Sequence, residues 1–194
     1  MTPLLTGVFA SQISGHLNTY TGPTSAFDAL ATVTVPSGGL ATVTFANVPT
    51  GYKHLQIRAL GKSNRAGGQD QFTMVINGDT TTNYYQHAIE GTGNASAATA
   101  FAYARNWVCL GDFADDTYNS NVFGAAICDI LEYSNTNKYK TTRSISGWDS
   151  NGNGYVRYES SLWNSTSAIT SLTIGVQDGT LIKEFSSFAL YGVK

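Results

Sequence analysis

The sequence predicts an all-β protein, an antiparallel jelly-roll-like β-sandwich with an extended N-terminal arm. Three observations support this fold class. About ten short segments alternate between apolar and polar residues, turn residues separate these segments, and no window has the periodicity of a useful amphipathic helix. Strands that follow one another at spacings of roughly 8–15 residues without intervening helices are typical of sandwiches and jelly rolls. We divide the 194 residues into an arm, 1–28, and one sandwich domain, 29–194.

The arm differs from the rest of the chain because its apolar residues follow neither a helical nor a strand period. Glycines and prolines interrupt it, and only His16 and Asp28 have ionisable side chains. A disordered tail would be more charged and less apolar. We therefore expect the arm to lie on its own domain or on a neighbour, and the irregular spacing favours the neighbour. The candidate contact residues are Leu4, Leu5, Val8, Phe9, Ile13 and Leu17.

The strands of the first half are separated by clear turn signals. ALATVTV and LATVTF flank a turn at 36–39, and KHLQIRAL then places Leu55, Ile57 and Ala59 inward with His54, Gln56 and Arg58 outward. DQFTMVI is followed by Asn77-Gly78, the strongest short hairpin signal, and NYYQHAI is the predicted returning strand. The small residues at about 91–101 predict a flexible connection.

The strands of the second half begin with RNWVCLGDF, NVFGAAICDILEY, KYKTTRSISGW and GYVRYESSLW. Two more strands complete the chain. In the first, Leu172, Ile174 and Val176 alternate with polar or small residues. Asp178-Gly179 supplies a turn, and an apolar strand from Phe185 to Val193 follows it.

Composition excludes several classes of partner. Charged residues make up 12 % of the chain, about half the usual share, and the net charge of −2 argues against a nucleic-acid binder. The first residues lack a basic segment and a long apolar run, so we expect neither a signal peptide nor a membrane span. Cys109 and Cys128 lie in apolar stretches, which predicts buried thiols.

The sequence points to no catalytic residue, metal site or cofactor. Residues 149–154, DSNGNG, resemble the start of a calcium loop, but the twelfth position is Ser160 and a polar hairpin tip explains them more simply. None of the three histidines has a nucleophilic partner at a recognisable spacing. The acidic cluster of Asp112, Asp115 and Asp116 predicts a solvated loop.

The three tryptophans and the tyrosines leave two interpretations open. Aromatic rings on one sandwich face can form a platform on which sugars stack. Alternatively the rings cap the core at strand ends, as Trp148 and Trp163 are placed to do. The second interpretation is the simpler one.

Six segments stand out when they are taken in order: TPLLTGVFASQISG, VTFANVPTGYKHLQIRAL, YYQHAIEGTG, KYKTTRSISGW, ITSLTIGVQDG and SSFALYGVK. Together they resemble a β-sandwich domain that is widespread in structural proteins of tailed bacteriophages. The resemblance implies a non-enzymatic virion protein with a jelly-roll-like fold, commonly trimeric, and it supplies no catalytic motif. Small members of this kind look like capsid decoration (cement) proteins or appendages of the head or tail.

We therefore expect a homotrimeric decoration subunit, made in the host cytoplasm and located in the virion. Its expected partners are the major capsid protein and neighbouring copies of itself. The alternative is a tail-fibre or receptor-binding module that recognises host surface glycans through aromatic-rich loops. An enzyme acting on glycans is a third possibility, for which no residue pair stands out.

Overall fold

The protein is an all-β sandwich, as the sequence predicts. A computed structural model describes residues 26–92 and 96–194, and in these residues twelve strands form two antiparallel sheets. The strands are β1 Phe27–Thr34, β2 Val43–Phe45, β3 His54–Gly61, β4 Asp70–Ile76, β5 Tyr84–Gly91, β6 Ser96–Arg105, β7 Val108–Phe113, β8 Gly124–Leu131, β9 Lys140–Asp149, β10 Gly154–Trp163, β11 Leu172–Val176 and β12 Ser187–Val193. The jelly-roll-like connectivity stays a prediction.

The two sheets differ in size. The larger has eight strands in the order β1-β12-β3-β8-β9-β10-β5-β6, and the smaller has four in the order β2-β11-β4-β7. β1 begins at Phe27, so the last two residues of the predicted arm belong to the larger sheet. The six candidate contact residues of the arm lie outside the described residues.

The core lies between the sheets and is built from the inward positions of their strands. Leu55, Ile57 and Ala59 are buried as predicted. From the smaller sheet, the Phe72 ring stacks on that of Phe113 with the ring centroids 4.0 Å apart. This packing places the alternate residues of each strand of the larger sheet on its outer face.

The predicted hairpin at Asn77-Gly78 is wrong, although the turn itself forms. Both residues have positive φ, 52° and 69°, and the Asp79 N–H donates to the Ile76 carbonyl over 2.9 Å, as in a type I′ turn. The strands on either side nevertheless belong to different sheets. The Tyr84 hydroxyl accepts a hydrogen bond from the Ile76 N–H and donates to the Asp79 carbonyl, which directs the chain across the core.

The turns at 36–39 and at Asp178-Gly179 also connect the two sheets. β1 and β12 lie in the larger sheet, whereas β2 and β11 pair with each other in the smaller one. The buried carboxylate of Asp70 fixes the second turn by accepting from the N–H groups of Asp178 and Gly179, at 3.1 and 3.0 Å. The local sequence specifies these turns, but the long-range packing decides which strands pair.

The predicted connection at about 91–101 is also wrong, because Ser96–Arg105 forms β6 at the edge of the larger sheet. Alanine, serine and threonine give little apolar alternation, so pairing with β5 decides this strand rather than its own pattern. The predicted hairpin tip at 149–154 is confirmed. It joins β9 to β10, and Asp149 lies opposite Gly154.

Candidate interaction surface

Four large apolar side chains lie side by side on the outer face of the larger sheet. The strand register aligns Ile127 of β8 with Ile145 of β9, Ile145 with Tyr158 of β10, and Tyr158 with Ile89 of β5. Their exposed fractions are 43, 54, 45 and 63 % in that order. We call these four residues the apolar row. It crosses four neighbouring strands at right angles to the chain.

A groove runs beside the apolar row, two residues further along each strand. There the register aligns Ala125, Gly147, Val156 and Gly91 across the same four strands. Phe123 and the β9–β10 turn complete its lining, and its volume is about 770 Å³. A Cβ atom on Gly147 would lie 2.6 Å from a backbone carbonyl oxygen of β10, so there is no room for a side chain at this position of β9. Because glycine has none, the floor of the groove is open here.

A polar border follows the opposite side of the apolar row. It contains Gln56, Asp129, Arg143, Ser160 and His87, which the register aligns from β3 to β5. The Gln56 amide donates to the Asp129 carboxylate over 2.8 Å. With Val156 and Leu60, the exposed apolar area is on the order of 500 Å², in the range of the largest apolar patch on a monomer, which is often a functional surface. An apolar centre with a polar border is typical of protein interfaces.

A buried charge cluster lies against the inner face of the larger sheet, where Glu90 of β5 and Arg157 and Glu159 of β10 meet Asp112 of β7 from the smaller sheet. The Arg157 guanidinium lies 2.6 Å from Glu159, 3.1 Å from Glu90 and 3.3 Å from Asp112. Burial raises the pKa of Asp112 to about 7, and it also raises the pKa of Glu159. The single positive charge of Arg157 is therefore shared among three carboxylates that burial has largely removed from water.

The predicted solvated acidic loop is wrong for two of its three members. Asp112 and Asp115 are fully buried, and only Asp116 is exposed, where it pairs with Lys183 at 2.8 Å. Burial alone would raise the pKa of Asp115, but hydrogen bonds from the Gly67 and Thr117 N–H groups lower it overall. Asp115 and Asp116 therefore fasten neighbouring loops to each other, whereas Asp112 is a buried carboxylate whose charge is poorly compensated.

The cysteines are buried free thiols, as predicted. Burial raises the pKa of Cys109 and of Cys128, so both stay protonated at neutral pH. A protonated thiol is a poor nucleophile and a poor metal ligand. Both side chains therefore act as packing groups of the core.

The other candidates from the sequence take structural roles. His54 accepts a hydrogen bond from the Glu132 N–H over 2.9 Å, whereas His87 is exposed in the polar border. In the hairpin tip, the Asp149 carboxylate accepts from the Asn151 N–H over 2.8 Å. Across the described residues, no group of three or more His, Cys, Asp or Glu side chains is arranged to hold a metal ion.

Two of the three tryptophans cap the core, which confirms that interpretation for them. Trp148 is 8 % exposed and packs on Tyr118 with the ring centroids 4.4 Å apart. Trp163 is 3 % exposed and donates from its indole N–H to Asp79 over 2.8 Å. Trp107 is partly buried, with the Arg105 guanidinium 4.6 Å from its ring centroid.

The sequence analysis missed the apolar row, although the sequence contains a signal for it. In β8 the apolar residues Ile127 and Ile130 are separated by an odd number of positions, so they must lie on opposite faces. The same holds for Tyr155 and Tyr158 in β10. Strands with apolar residues on both faces predict a sheet whose outer face also has a partner.

Comparisons with known proteins give no family. No protein-family model, no curated protein and no solved structure matches the chain. The described residues contain no helix with the length and apolarity needed to cross a membrane. The resemblance to phage structural proteins therefore stays a prediction from the sequence.

Proposed function

We propose that this protein is a non-enzymatic virion structural protein, a capsid decoration subunit that assembles through the outer face of its larger sheet. The observation that carries the proposal is the apolar row with its adjacent groove. The resemblance to phage structural proteins supports the choice of a virus particle as the assembly. In that setting we expect a homotrimer whose partners are the major capsid protein and neighbouring copies.

The exposed apolar area gives a physical reason for a partner. Burying an area on the order of 500 Å² contributes about 12 kcal/mol before the costs of association. Those costs are about 4–15 kcal/mol, so one such face gives modest affinity by itself. A homotrimer would present three equivalent faces to one particle, and such multivalent attachment turns modest contacts into stable binding.

The scaffold under this face supports a role in contact rather than in chemistry. β9 and β10 are ten residues each and pair along their full length. At the start of β9, the Lys140 ammonium is buried and donates to three backbone carbonyls at 2.6, 2.8 and 3.1 Å. These hydrogen bonds fasten the loops at this end of β9 and β10 to the sheet that carries the apolar row.

A co-sedimentation experiment tests the proposal with particles that were assembled without the subunit. Ile145→Glu places a charge in the middle of the apolar row, where burial against a partner costs the charge its hydration. Thr44→Glu is the matched control, because Thr44 is exposed on the smaller sheet. We expect the natural chain and the control to bind heads, and Ile145→Glu to bind about tenfold more weakly.

Equal binding of all three proteins would contradict the role of this face. Binding to tails or to a glycan array, with no binding to heads, would overturn the decoration role and favour receptor recognition. Thermal unfolding of both variants shows whether the sandwich is intact. We expect both substitutions, at exposed positions, to change stability by less than about 1 kcal/mol.

A further inference from the structure

The apolar row and the groove floor share one property with residues 1–25 of this chain, which is a lack of charged side chains. Residues 1–25 contain no Asp, Glu, Lys or Arg, and their apolar residues include the six candidate contact residues of the arm. The apolar row and the groove floor also lack charged side chains. Contact between the two would bury apolar groups without removing an ion from water.

The segment is long enough to reach such a surface. Phe27 is level with Val193 of β12, whereas the groove is level with Ser187, about 20 Å away along the strands. The middle of the groove lies four strand spacings from β1, about 19 Å across the sheet. An extended chain of 25 residues spans at most about 80 Å, so its reach covers one sandwich and the next.

The direction of β1 favours a neighbouring copy over the chain's own groove. β1 runs from Phe27 at the sheet end remote from the groove towards Thr34 at the groove end. Ala26, which accepts a hydrogen bond from the Lys194 N–H, therefore lies at the end of the sheet away from the groove. To reach their own groove, residues 1–25 would have to reverse direction, whereas a copy placed beyond that sheet end lies directly ahead.

The shape of the surface fits an extended segment that lies across the strands. Gly147 and Gly91 leave space for a backbone, and Val156 divides the groove floor between them. Leucine, valine and phenylalanine side chains of the segment would pack against Ile145 and Ile89, which are more than half exposed. In this arrangement the contact depends on side chains and adds no strand to the sheet.

We propose that residues 1–25 of a neighbouring copy cover the apolar row and groove of each subunit. This inference rests on the proposed function, because it names the partner of the same face within the assembly. The subunits are then linked by exchanged arms, and every copy both gives an arm and receives one.

Photo-crosslinking in the full-length chain tests this proposal. Phe9 is replaced by p-benzoylphenylalanine, and copies labelled with ¹⁵N are mixed with unlabelled copies before irradiation. We expect crosslinks to outer-face residues of β8, β9, β10 and β5, with about half of them joining a labelled to an unlabelled peptide. Crosslinks only within one copy, or crosslinks elsewhere on the sandwich, would overturn the proposal.

Two further measurements separate this proposal from the proposed function. Adding Ile145→Glu to the crosslinking chain should reduce the yield at least about fivefold, and Thr44→Glu should leave it unchanged. Co-sedimentation with particles is measured in parallel. If Phe9 crosslinks miss the outer face but Ile145→Glu still loses particle binding, the arm proposal fails alone. If crosslinks reach the outer face but the natural chain binds no particle, the decoration role fails alone.

Discussion

Replacing Asp112 by asparagine should stabilise this protein at neutral pH, even though it removes a carboxylate 3.3 Å from an arginine. The buried charge cluster holds one guanidinium and three carboxylates. Arg157 lies 2.6 Å from Glu159 and 3.1 Å from Glu90, and both of these carboxylates remain in the variant. The attraction between Asp112 and Arg157 does not offset the lost hydration. Burial therefore raises the pKa of Asp112 from 3.8 to about 7.

The sign and the size of the effect follow from this pKa. Between pH 4 and pH 7 the folded protein holds a proton on Asp112 that the unfolded chain has released, so the free energy of unfolding falls as pH rises. A difference of about three pKa units corresponds to about 4 kcal/mol as an upper bound. Asparagine resembles the protonated carboxyl and does not titrate. We expect Asp112→Asn to match the natural chain near pH 4 and to exceed its stability by about 2–4 kcal/mol at pH 8.

Urea unfolding of both proteins at pH 4, 5, 6, 7 and 8 measures this difference directly. Asp116→Asn is the control, because Asp116 forms an exposed pair with Lys183 that contributes at most about 1 kcal/mol. A stability difference that does not change with pH, or a natural chain that is the more stable one at pH 8, would refute the reasoning.

Three other substitutions test how the scaffold is held together, each by denaturant unfolding. Gly111→Ala would place a methyl carbon 2.5 Å from the Ser146 side chain, so we expect a loss of about 2–3 kcal/mol, and unchanged stability would contradict this packing. Lys140→Met leaves three backbone carbonyls without their donor, so we expect the free energy of unfolding to fall by about 2–4 kcal/mol. A more stable variant would show that burying the ammonium costs more than its hydrogen bonds contribute. Trp163→Phe removes the indole N–H that donates to Asp79, so we expect the free energy of unfolding to fall by about 1–2 kcal/mol. We also expect the pKa of Asp79 to rise from about 2, which an NMR titration measures. An unchanged pKa would contradict this hydrogen bond.

Local pattern was sufficient to predict most strands and several side-chain positions. The alternation around Leu55 and Ile57 predicted which residues of β3 are buried, and the apolar surroundings of Cys109 and Cys128 predicted their burial. The tip at 149–154 was predictable because β9 and β10 are consecutive and both strongly patterned. In these cases neighbouring residues contain all the necessary information.

Pairing between distant strands could not be predicted in this way. Asn77-Gly78 specifies a turn, but the local sequence does not show that the chain passes from the smaller sheet to the larger one after it. That crossing depends on the hydrogen bonds of Tyr84 and on the packing of the whole core. The burial of Asp112 has the same origin, since β7 lies across β9 at Gly111 and covers the charge cluster. The apolar row arises from the register of four strands, which no single segment contains.

The central claim is that the outer face of the larger sheet is the surface through which this subunit assembles on a virus particle. An electron cryomicroscopy reconstruction of the particle with the subunit in place tests it most directly. We expect density that covers Ile145 and Ile89, while Thr44 on the smaller sheet faces solvent. A particle in which the apolar row faces solvent at every copy, or one that lacks the subunit altogether, would contradict the claim.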